Sequence, residues 1–143
     1  MVILVAAIAL GALVLFKALG GAIPLTENGV IRIAQAIAVA EGFYVAGSRP
    51  QRNHNPGDMT QDLIGKKVGT DGPFVVYGTD DDGWSNLYKQ VEMWLGGSSS
   101  HANASSTISD LSTFYTTTDQ ASWATNVANY LGVSIDTSIG SIS

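Results

Sequence analysis

A carboxylate stands where the apolar stripe of a helix would continue. In Val30-Ile31-Arg32-Ile33-Ala34-Gln35-Ala36-Ile37-Ala38-Val39-Ala40-Glu41-Gly42-Phe43, residues Val30, Ile33, Ala34, Ile37 and Glu41 fall at i, i+3, i+4, i+7 and i+11, which brings them to one face of a helix. Gly42 offers the left-handed residue that stops such a helix. Glu41 then sits in the last turn, where partial burial and the negative end of the helix dipole both disfavour its ionised form. A carboxylic acid that keeps its proton near neutral pH is what a glycosidic oxygen requires of a general acid. A helix-ending glutamate turned to solvent fits the same spacing.

Further polar and aromatic residues follow it. Asn53 and Asn55 carry amides that donate and accept, suited to the hydroxyl and N-acetyl groups of an amino sugar and equally to tying a loop to itself. Phe43, Tyr44 and Tyr77 offer rings for stacking on sugars, with burial in the core as the alternative for Phe43 and Tyr77. Arg52 could hold a carboxylate of the ligand or simply be solvated. Asp58, Asp62 and Asp71 are the acids available to partner Glu41; Asp58 is the first candidate for a second carboxylate, although the turn it ends also accounts for it. His54 and His101 have no second histidine at metal spacing, so no metal site and no cofactor is expected. Asp80-Asp81-Asp82-Gly83 lacks the closing glutamate of a calcium loop, and Ser98 to Ser106 has no nucleophile-elbow pattern.

These residues need elements to position them. The helix carrying Glu41 is expected to start near Thr26 or Asn28 as cap. Phe43 to Thr60, rich in Pro, Gly and Asn, reads as loop, with Asn55-Pro56-Gly57-Asp58 as a type II turn in which Gly57 takes positive φ. A small hairpin follows, with Leu63-Ile64 and Lys66 to Val68 on one arm, Thr70-Asp71-Gly72 as the turn and Phe74 to Gly78 on the other. Asp80 to Asp82 open a helix with Trp84, Leu87, Tyr88, Val91, Trp94 and Leu95 on its stripe, ended by Gly96-Gly97. Thr107-Ile108-Ser109-Asp110 is a capping-box variant opening another helix. A last helix follows Thr118-Asp119, with Trp123, Val127, Tyr130 and Leu131 on one side and Gly132 at its end. The Ser/Thr-rich tail has little to bury. The class is α+β, mostly helical with one small β-hairpin.

Three pieces in order resemble the lysozyme-like lytic transglycosylase and muramidase domains of phages and bacteria. They are the helix end Ala40-Glu41-Gly42-Phe43, the loop Arg52-Asn53-His54-Asn55-Pro56-Gly57-Asp58-Met59, and the strand Phe74-Val75-Val76-Tyr77 running into Thr79 to Trp84 and Leu87. The resemblance covers about residues 30 to 95. It implies a lysozyme-like fold, catalytic Glu41 at the end of the first core helix facing a groove beside a small sheet, and a peptidoglycan glycan strand as substrate. Lytic transglycosylases manage with one carboxylate: it protonates the leaving oxygen, then acts as base while the C6 hydroxyl of the sugar closes an anhydro ring. A hydrolase would instead need a second carboxylate, about 5 to 5.5 Å away for retention or roughly 6.5 to 9.5 Å for inversion. Asn53-His54-Asn55 and Asp58 depart from the asparagine run of the family.

The chain has 143 residues, no cysteine and a formal net charge of -5. The few Lys and Arg are scattered, which argues against nucleic acid as a partner. Val2 to Phe16 is entirely apolar or glycine and Lys17 interrupts an otherwise uncharged run to Leu25. Residues 1–25 are read as a single-pass transmembrane anchor, with Lys17 snorkelling, and 26–143 as the lysozyme-like domain. A cleaved signal peptide and a buried core helix are the alternatives, the first lacking a basic n-region and the second a polar face. The expected function is a membrane-anchored, virion-associated peptidoglycan lysin at a virion membrane or bacterial envelope, with lipid and other virion proteins as further partners. The competing function is a non-catalytic structural or glycan-binding virion protein that keeps the fold.

Overall fold

A computed structural model describes residues 27–143. In chain order its elements are α1 (Glu27–Ala40), α2 (Arg49–Arg52), β1 (Gly69–Asp71), β2 (Phe74–Val76), α3 (Asp80–Leu95), α4 (Ile108–Tyr115), α5 (Gln120–Leu131) and a 3-10 turn (Ile139–Ser141). The described chain is therefore α+β, mostly helical, with one two-stranded antiparallel sheet. The anchor expected over 1–25 lies outside the described residues; within them, no helix is long and apolar enough to cross a membrane.

The apolar stripe of α1 does what its spacing predicts: Val30, Ile33, Ala34 and Ile37 are buried. α1 packs on α3 and α5, and α4 packs on α5. Between them lie Leu87, Val91 and Trp94 of α3, Ile108 and Leu111 of α4, and Trp123, Val127 and Leu131 of α5. α1 ends in a Schellman motif, with Phe43 N–H donating to Ala38 O (3.0 Å), Gly42 N–H to Val39 O (3.1 Å), and Gly42 at φ +79°. Glu41 is the C-cap of this motif, immediately before the left-handed Gly42.

Several local expectations give way to tertiary packing. The segment after Gly42, expected to be loop throughout, contains a short helix, α2, capped by Ser48 and with Pro50 in its first turn. In the Asn55–Asp58 turn Asp58 N–H reaches Asn55 O at 2.9 Å, but the left-handed residue is Asp58 (φ +47°), not Gly57. Gly57 is required for space: a Cβ there would lie 2.7 Å from the Tyr115 hydroxyl and 2.9 Å from Leu87. The hairpin pairs Gly69 with Val76 and Asp71 with Phe74. Asp71 is thus on a strand, the connection is Gly72-Pro73, and Leu63 to Val68, expected as the first arm, form no strand.

Caps at the other helices follow the sequence closely. The N-cap of α3 is Thr79 rather than one of the aspartates expected to supply it, and Asp80 to Asp82 fill its first turn. Thr107 and Asp110 complete the capping box of α4 (2.8 and 3.0 Å). Gly132 at φ +71° ends α5, although Tyr130 is exposed rather than on the buried side. The tail does bury surface: Ile139 and Ile142 enter the core, and Ile139 and Gly140 N–H groups bond Ser106 and Ala104 carbonyls (both 2.9 Å).

Candidate active site

The end of α1 delivers Glu41, half-buried, to a groove of about 510 Å³. Its Oε1 accepts a hydrogen bond from the indole Nε1–H of Trp123 on α5, at 2.7 Å. Burial is the main reason its pKa rises from 4.5 to about 7; the Trp123 bond opposes that rise, the charge of Asp58 adds to it, and Arg49 lowers it. The sequence anticipated the burial. It gave no sign of Trp123, whose stripe position on α5 reads only as core.

Asp58 lines the same groove. Its buried carboxylate is gripped by Arg49 from the start of α2, with Nε 3.0 and 3.1 Å from the two oxygens and Nη2 on Oδ2. The guanidinium carbon lies 3.5 Å over the centre of the Phe74 ring. A bidentate, ring-backed pair of this kind keeps both Asp58 oxygens occupied, poorly suited to attack a sugar carbon. The other acids are committed elsewhere. Asp62 accepts from the backbone of Gly65, Lys66 and Lys67 and from the Tyr77 hydroxyl (2.9 Å), and these bonds outweigh burial to lower its pKa. Asp71 accepts from Asn53 at 3.2 Å.

The expected substrate residues are placed differently from Glu41. Asn55 is 0% exposed and its amide is spent on the Met59 backbone and Val75 O, at 2.9 to 3.0 Å. It takes the place of a strand neighbour beside β2, so a sugar cannot reach it. Asn53 is also buried and holds Asp71. Tyr77 is buried with its hydroxyl on Asp62, which corrects its assignment to a sugar subsite. Tyr44 is exposed, packs on Phe43, and does not line the groove. Arg52 bonds Gly47 O.

The groove wall is made instead of Met59, Thr60, Gln61, Pro73 and Phe74 on one side of the chain order and Gln90, Trp94, His101, Phe114 and Thr116 to Thr118 on the other. His101 stacks on Phe114 (5.7 Å, 29°) and Phe114 meets Trp94 edge-on (6.0 Å). These residues offer amides, hydroxyls and an aromatic shelf, the equipment for a polyhydroxylated ligand. His101 and Thr116 to Thr118 come from segments without a local motif, the α3–α4 linker and the α4–α5 connection, while Gln90 and Trp94 stand on α3 and Phe114 on α4, and only their meeting in space identifies them. Compared with known proteins, the chain matches no family model, no curated protein and no solved structure.

Proposed function

We propose that this chain is a peptidoglycan-cleaving enzyme, a lytic transglycosylase acting on the MurNAc-GlcNAc β-1,4 bond with Glu41 as its single general acid and base. The observation that carries the reading is a half-buried acid with a pKa of about 7 facing a groove whose other carboxylate, Asp58, is already held by Arg49. Glu41 enters protonated and gives its proton to the glycosidic oxygen as the bond to the muramyl C1 breaks. Its carboxylate then takes the proton of the C6 hydroxyl as that oxygen bonds to C1, closing the anhydro ring and restoring the acid. No enzymic nucleophile is needed and no water is consumed. A pKa near the working pH serves both halves of this cycle.

The same reading makes the fold lysozyme-like, with its acid at the end of the first core helix and the hairpin residues Pro73 and Phe74 beside it in the groove. It makes residues 1–25 an anchor that holds the domain at a virion membrane or bacterial envelope. A glycan-binding role without catalysis would be favoured by a Glu41 locked in an ion pair; its hydrogen-bond partner is instead a neutral indole.

The full chain is expected to clear a suspension of peptidoglycan, less well as pH rises through about 7 and the acid form is lost. Glu41→Gln should reduce clearing by about 100-fold or more with an unchanged circular dichroism spectrum. Mass analysis of the released muropeptides should find anhydro ends. Reducing ends would replace the transglycosylase by a hydrolase and make Asp58 the next acid to substitute, and equal clearing by both proteins would remove the mechanism.

A further inference from the structure

We infer that Trp123 is a positioning residue for the Glu41 acid, keeping Oε1 as an acceptor so that the transferable proton is carried on Oε2. The inference rests on the reading of Glu41 as the general acid. An indole N–H can donate and cannot accept. At 2.7 Å from Nε1, a proton on Oε1 would face the indole hydrogen, so the acid form has one favourable tautomer.

The indole is itself held in place. Trp123 is 5% exposed, and its ring stacks on Tyr115 of α4 (5.0 Å, 28°). The Tyr115 hydroxyl donates to Gly57 O at 2.6 Å, and Gly57 precedes Asp58. The path Glu41, Trp123, Tyr115, Gly57, Asp58 therefore ties the acid to the other carboxylate of its own groove. When Glu41 gives up its proton, the indole bond becomes charge-assisted and strengthens. The contact thus stabilises the state reached after proton transfer more than the state before it, which is what a catalytic contact must do. The charged and titratable groups around Glu41 are Arg49 of α2, Asp58 of the loop and Tyr115 of α4, and His101 lines the same groove.

The test is an NMR titration of the full chain with sequentially assigned indole resonances. The Trp123 Nε1–H signal is expected to move with pH at the midpoint of the Glu41 carboxyl, and to stop moving in Glu41→Gln, which separates this coupling from titration of His101. In Trp123→Phe the Glu41 midpoint should rise by about one pH unit. The alkaline limb of peptidoglycan cleavage should move up with it, while kcat falls about tenfold and KM stays unchanged. An indole signal that stays fixed through the Glu41 midpoint overturns the inference, and that measurement needs neither substrate nor a folded variant. A coupled titration in a chain that cleaves nothing removes the glycosidase reading and leaves the placement of Trp123 standing.

Discussion

Glu41 and Glu92 are both withdrawn from water, with different consequences. Glu41 has the indole donor and an open groove; Glu92, on α3, is 6% exposed and its Oε1 has no hydrogen-bond partner among the described residues. Burial raises the pKa of Glu92, and Lys89 offsets this only in part. A carboxyl whose pKa is higher folded than unfolded binds a proton on folding. Its stabilising contribution is present below the unfolded pKa and is lost as pH rises through the folded one. Glu92→Met, which fills similar space without the charge, should therefore raise the melting temperature more at pH 8 than at pH 4. Thermal unfolding at the two pH values decides it, and an equal gain at both would mean that Glu92 is not paying a charge penalty.

At the level of elements, α3 is seated against the Asn53–Asp58 loop by the absence of a side chain. A Cβ at Gly83 would lie 1.8 Å from His54 O and 2.8 Å from Pro56. Gly→Ala inside an exposed helix usually gains up to about 1 kcal/mol, yet Gly83→Ala should cost about 3 kcal/mol because the loop must be displaced. The midpoint of urea unfolding measures this, and an unchanged midpoint would show that the loop gives way easily. Gly83 also shows where the sequence was readable. Features that a helix settles within its own turns were legible: the stop at Gly42, the stripe of α3, the capping box at Thr107. Features settled by a neighbour distant in sequence were not: the space demand at Gly57 against Tyr115 and Leu87, and the burial of Asn55 beside β2. The candidate site divides the same way, since Glu41 was singled out by its place on the α1 stripe together with the loop and strand that follow it, whereas Trp123 and the His101–Phe114 shelf required the packed fold.

For the whole molecule, the C-terminal tail is part of the framework around α1. Ile108 and Ser109 N–H groups bond Thr137 and Ile135 carbonyls (3.2 and 2.9 Å), and Arg32 of α1 reaches the backbone oxygens of Leu131 and Ser143. Ending the chain after Ser134 removes these tail bonds and the burial of Ile139 and Ile142. The melting temperature should fall by about 10 °C or more, and the Trp123 indole signal should broaden as α5 loosens against α1. A full-length melting temperature in the truncated chain would show the tail to be incidental. The separation of 82 residues between Glu41 and Trp123 also sets an order of events during synthesis. A ribosome that has released α1 to α4 has produced the acid without the residue that holds it, and the groove without the helix behind it. In the proposed enzyme, wall-cutting competence would arise only once α5 emerges and folds back on α1, which delays activity until most of the chain has left the ribosome.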